Sequence, residues 1–88
     1  MQTIKRLAVD SPATYTVRVQ GSLDTSWSEY LSSAIISLES EPNEPPATVI
    51  TGEFQDQAAL AGALNLLYDL GLPLLSVGCI GFEPNRPV

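Results

Sequence analysis

The clearest hydrophobic pattern in the chain runs from Asp56 to Val77, DQAALAGALNLLYDLGLPLLSV. At about 100° per residue, Leu60, Ala63, Leu64, Leu67 and Leu70 fall on one side of a helix. Ala58, Gly62, Asn65 and Asp69 fall on the other, with Leu66 and Tyr68 on the borders. Asp56 is placed to cap this helix, because its carboxylate can accept from the free N–H groups of the first turn. Gly71 supplies the left-handed residue that ends a helix, and Pro73 forbids its continuation. The wide apolar stripe predicts packing on a sheet. The small-residue face offers Ala58, Gly62 and Asn65 as a close-approach surface for a partner.

Alternation predicts the strands. Tyr15, Val17 and Val19 face one way and Thr16, Arg18 and Gln20 the other, which is the signature of a half-buried strand. Gly21 ends it. Ala47 to Phe54 is β-rich, and Gly52 marks a candidate bulge within it. Leu74 to Ile80 forms a strand after the helix, with Leu75, Val77 and Cys79 on one face and Leu74 and Ile80 on the other. Leu23 to Leu38 supports two readings. Trp27, Leu31, Ala34, Ile35 and Leu38 keep helical spacing, and Ser26 with Glu29 matches a capping box. Against a continuous helix, Ile36 and Leu38 alternate with Ser37 and Glu39, and the serines lower helix propensity. The prolines of Glu41 to Pro46 require a turn or loop. Residues 1–14 read as an N-terminal arm, mobile or forming an irregular edge. Residues 15–81 read as a single α+β domain, and residues 82–88 as a flexible tail.

Composition narrows the function. The chain has 88 residues, so it is one domain near the small end of what folds alone, where oligomerisation adds burial. Its net charge is −6, and its only basic residues are Lys5, Arg6, Arg18 and Arg86. A nucleic-acid binder needs a basic stripe to displace counterions, and an anionic membrane surface is disfavoured for the same reason. Cys79 is the one cysteine, so no intrachain disulfide forms and nothing argues for secretion. It sits in an apolar run, where a buried, inert thiol is expected. No apolar run approaches the roughly 20 residues of a spanning helix. The expectation is a soluble, cytoplasmic protein.

A family resemblance rests on several segments. They are Tyr15 to Asp24 (YTVRVQGSLD), Trp27 to Tyr30 (WSEY), Thr51-Gly52, Asp56 to Gly62 (DQAALAG) and Asp69 to Val77 (DLGLPLLSV). Together they resemble a family of small uncharacterised bacterial proteins with no established activity, so no functional residue carries over. In that family a hairpin with a short turn follows the Trp motif; here the connection is longer and proline-rich. The resemblance implies a short helix or turn over Ser26 to Leu31, then a strand over Ala34 to Glu39 paired with Ala47 to Phe54. The resulting order, β-short α-β-β-α-β, resembles a ferredoxin-like sandwich with a reduced first helix and a four-stranded antiparallel sheet. One face of such a sheet is covered by helices; the other is solvated or covered by a partner or second copy.

A second resemblance follows the helical reading of Ser26 to Leu38. A strand ending in Gly-x-Leu-Asp, a central strand, an Asp-initiated helix and a final strand also resemble a STAS domain, an α/β fold. Regulatory members carry a phosphorylatable Ser or Thr after the Asp that opens the helix. Gln57 and Ala58 stand at those positions, so that switch is missing.

Catalytic chemistry is sparse. There is no histidine, and a single thiol cannot assemble a Cys/His zinc site. Glu39, Glu41 and Glu44 cluster only in a solvated loop, with too few oxygen ligands for Ca²⁺. Asp24 and Glu29 near Trp27 form an acid/base pair only on paper, since Asp24 and Ser26 serve as caps. Gly78 to Gly81 has neither the helix nor the lysine of a phosphate loop. Glu53 and Asp56 already place negative charge at the main helix N-terminus, which disfavours an anion there. No cofactor or metal is expected, and the balance weighs against an enzyme.

Three functions follow as expectations. The first is a homo-oligomeric protein-interaction or regulatory module, using Trp27, Tyr30, Phe54, Leu74 and Ile80 as contact residues. Trp and Tyr suit interfaces because they bring large area at low entropy cost. The second is a small-molecule or enzymatic module with an aromatic-rimmed cleft at Trp27, Tyr30 and Phe54. The third is a STAS-like partner switch without its phosphorylation site. All rest on fold analogy, which alone does not assign function.

Overall fold

A computed structural model describes residues 6–82. Its elements are β1 (Ala13–Gln20), a short 3₁₀-helix η1 (Thr25–Leu31), β2 (Ile35–Glu39), β3 (Ala47–Phe54), α1 (Gln57–Asp69) and β4 (Leu74–Phe82). The four strands form one antiparallel sheet in the order β2-β3-β1-β4. This is the α+β arrangement with the strand order of a ferredoxin-like sandwich, carrying one main helix. The strand at Ile35–Glu39 removes the STAS-like reading, which requires a helix through Leu38.

β1 organises the core. Its alternation buries Ala13, Tyr15, Val17 and Val19 at 0–3% exposure, and it is paired along both sides. Opposite these on β3 lie Phe54, Gly52, Ile50 and Thr48, and α1 closes the layer with Leu60, Ala63 and Leu67. Leu31 and Ala34 complete the cluster from η1 and its exit. The reverse face carries Thr14, Thr16 and Arg18 beside Val49, Thr51 and Glu53, and is polar in the main. An exposed ion pair from Arg18 to Glu39 (2.9 Å) spans β3 on that face.

The helix punctuation forms as its residues dictate. Ala59 N–H donates to Asp56 Oδ1 at 2.8 Å. At the other end Leu72 N–H donates to the Leu67 carbonyl and Gly71 N–H to the Tyr68 carbonyl, with Gly71 at φ +79°. That pairing is a Schellman motif, the standard use of a left-handed glycine after a helix. Leu70 caps the helix and is 38% exposed, so the expected stripe ends at Leu67.

Other boundaries differ from expectation. The arm placed over residues 1–14 overlaps β1, and Leu7 packs on the core while Gln57 N–H donates to the Val9 carbonyl. The tail placed over residues 82–88 begins inside β4 at Phe82, and 83–88 fall outside the described residues. Gly52 is no bulge, because β1 and β3 pair in unbroken register through it. Its role is close approach: a Cβ there would sit 2.8 Å from Ala34 Cβ and 3.0 Å from Ala34 Cα.

Two glycines therefore have opposite expected behaviour. Gly52→Ala should destabilise the protein by about 1–3 kcal/mol, the usual range for overpacking. Gly62→Ala, with open space around the new methyl, should stabilise it by about 0.8–1 kcal/mol through helix propensity. Urea unfolding of both variants against the native chain checks this; equal effects of the same sign would contradict it.

Candidate interaction surface

η1 is held by its start. Asp24 is the cap, accepting from Ser26 N–H at 2.9 Å, so the expected Ser26–Glu29 capping box is not what opens the turn. Ser28 Oγ donates to the Ala34 carbonyl at 2.6 Å, and Ser32 and Ser33 leave the helix in the left-handed region. The backbone N–H of Ser26, with its hydroxyl, holds the Asp24 carboxyl below its ordinary pKa. Within η1, Trp27 is half-buried against the core and its ring lies 5.5 Å from that of Tyr30, which is exposed.

Phe54 does not join them as a surface residue. It is 1% exposed and meets Tyr15 edge-on at 6.1 Å. As an inward residue of β3 it is core, so its expected role at an interface or in an aromatic-rimmed cleft is corrected. A depression of about 250 Å³ lies elsewhere, lined by Pro12, Ala13, Thr14, Glu53, Gly81 and Phe82. Glu53 is its only ionisable side chain, which gives it little chemistry. Among the described residues no group of three or more His, Cys, Asp or Glu could hold a metal ion. No described helix is long and apolar enough to cross a membrane.

β4 departs most from expectation. It is an edge strand with two register shifts, between Thr14 and Tyr15 and between Arg18 and Val19 of its partner. These bulges break simple alternation. Leu74 lies opposite Val19, and therefore shares the helix-side face with Val77 and Cys79 rather than opposing them. Leu75 and Ile80 are the extra residues at the bulges. Helix-side placement does not bury Leu74 and Val77, which are 54% and 39% exposed, and the bulge residues Leu75 and Ile80 are 47% and 61% exposed. Cys79 is exposed too, against the expectation of a buried thiol.

The outer face of α1 adjoins this region in character. Ala58, Ala61, Gly62, Asn65 and Tyr68 are all exposed and uncharged, and Asp69 at the end of the helix is the one charge on this face. From Gln57 to Phe82 the only charged residue is Asp69. The acidic surface is thus concentrated in the first part of the chain, and α1 with β4 forms a neutral part. Sequence reasoning placed Leu75, Val77 and Cys79 on one face and expected Cys79 buried. The readable signal against that was the number of helices, since one helix and a short turn cannot cover four strands.

The model of a family described as Domain of unknown function (DUF8691) matches residues 14–78. The chain belongs to this family. The DUF8691 match runs from the second residue of β1 to the middle of β4 and so takes in part or all of every element described. No curated protein and no solved structure matches the chain. The family thus brings a shared fold and no activity.

The Asp24 cap gives a pH test. A carboxyl with a lowered folded pKa contributes stability that is complete above its unfolded value, about 3.9, and is lost as pH falls through the folded value. The urea midpoint of the native chain should exceed that of Asp24→Ala by a constant margin from neutral pH down to about 5. The margin should close below about pH 4. A margin independent of pH would contradict the cap.

Proposed function

We propose that this protein is a non-enzymatic interaction module of regulatory character that works by associating with a second copy of itself. The observation that carries the reading is the neutral, apolar β4, exposed on a chain whose net charge is −6. Isolated apolar residues on a surface are ordinary, but a contiguous apolar element is a mark of an interaction site. A copy carrying the same net negative charge is repelled by the acidic first part of the chain and meets least repulsion along β4, which has no charge from Leu74 to Phe82. Small size favours the same outcome, because an 88-residue chain gains much of its missing burial by pairing. Trp27 and Tyr30 lie on a different element and are read as a secondary contact. The single exposed thiol fits a reducing compartment, and we assign the protein to the cytoplasm on that ground.

Native mass spectrometry of the untagged full chain tests this reading. A dimer is expected, with no added mass, and sedimentation should show it tightening as salt screens the repulsion between acidic copies. A strict monomer at high micromolar concentration would overturn the proposal. So would a reproducible mass increment of small-molecule size on a monomer.

A further inference from the structure

We infer that the two copies join strand to strand along β4, antiparallel about a twofold axis perpendicular to the sheet, to give one continuous eight-stranded sheet. The inference rests on the self-association reading above and names its geometry. The two edges of the sheet differ in length and in charge. β2 has five residues, carries Glu39 held by Arg18, and is followed by a loop containing Pro42, Pro45 and Pro46. Short length, charge and proline are devices that block edge-to-edge association, and they guard β2 although its Ile35 and Leu38 are 73% and 58% exposed. β-bulges are another such device; those of β4 lie towards its two ends and leave residues 76–79 regular between them. β4 has nine residues and, from Leu74 to Phe82, contains no charge and no proline. Its outer backbone N–H and C=O groups face away from β1, with no strand beyond them among the described residues.

Symmetry selects the occupant. Two antiparallel strands related by a twofold axis oppose residues of the same face, so the helix side of one copy continues into the helix side of the other. Between its bulges β4 is regular over residues 76–79, with Ser76 and Gly78 on one face and Val77 and Cys79 on the other. An axis through Gly78 places Val77 against Cys79 of the second copy, and an axis through Val77 places the two Val77 side chains together. Within residues 76–79 either register joins apolar residues on the helix side and small residues on the reverse face. Neither brings two charges together. The arrangement also closes. Each copy uses its open edge once, and the edges left at the two ends of the sheet are the protected β2 strands, so growth stops at two.

Residue-resolved hydrogen exchange on the unmodified chain, measured above and below the concentration of association, tests the geometry. On association, alternate β4 amides that were exposed should slow by at least tenfold, with β2 amides unchanged. If the chain associates while β4 exchange stays the same and protection appears on α1 or β2, the strand-pairing geometry is overturned and self-association stands. If the chain does not associate, both fall. A substitution pair provides a second measurement. Ser76→Lys, an exposed position in the middle of β4, should weaken dimerisation at least tenfold, whereas Ser37→Lys on β2 should leave it unchanged. Equal effects of the two would overturn the assignment of the edge.

Discussion

The structure depends on a shortage of cover. A four-stranded sheet has one face to be buried by helices, and this chain supplies a 13-residue helix and a seven-residue 3₁₀ turn. Apolar burial is the main favourable term in folding, so the helix goes where the most apolar side chains converge, over β1 and β3. The cost falls on the edges. β2 tolerates it through shortness, charge and its proline loop. Apolar residues remain in water on both edges of the isolated chain, Ile35 and Leu38 on β2 and Leu74, Leu75, Val77 and Ile80 on β4, but only β4 has no charge along the strand.

Several local devices serve that central packing. Thr48 is buried and ties the start of β3 to the corner after β1, donating to the Gly21 carbonyl at 2.7 Å and accepting from Leu23 N–H at 3.1 Å. Gly52 lets the chain entering β2 lie directly on β3, as only a residue without a Cβ can. The N-terminal segment braces the helix start, with Gln57 bonded through its backbone to Val9 and through its side chain to the Tyr15 hydroxyl. Each device holds β1, β3 and α1 together. None reaches across the outer side of β4. The same economy leaves the outer face of α1 made mostly of small residues, with Tyr68 and the single charge of Asp69 near its end, a face that core packing does not require.

Much of this architecture was legible in the sequence, for reasons specific to each segment. The helix was clear because Asp56, Gly71 and Pro73 are strong local signals that no tertiary contact overrides. The β1 alternation was clear because one of its faces is wholly core. The segment from Leu23 to Leu38 was ambiguous because its apolar spacing favours a helix while its end alternates as a strand and its serines lower helix propensity; the resemblance, not the periodicity, favoured a short helix and a strand. Gly52 was misread because a glycine needed for close approach looks the same in sequence as one needed for a bulge. The faces of β4 were misassigned because two bulges shift the alternation, and bulges without glycine leave no mark in the residue pattern. Phe54 was placed at a surface because an aromatic residue at a strand end carries no label saying which side it takes. The surface that stands out is defined by uncharged residues and by missing cover, features that motif reading does not detect.

The central claim is that the uncovered β4 is completed by a second copy, so that folding and association are linked. A protein whose native state is a dimer gains stability with concentration by mass action, whereas a monomer does not. The most direct measurement is the urea midpoint of the untagged chain over a hundredfold range of protein concentration. The account predicts a midpoint that rises steadily with concentration. A midpoint that stays constant across the range would contradict it.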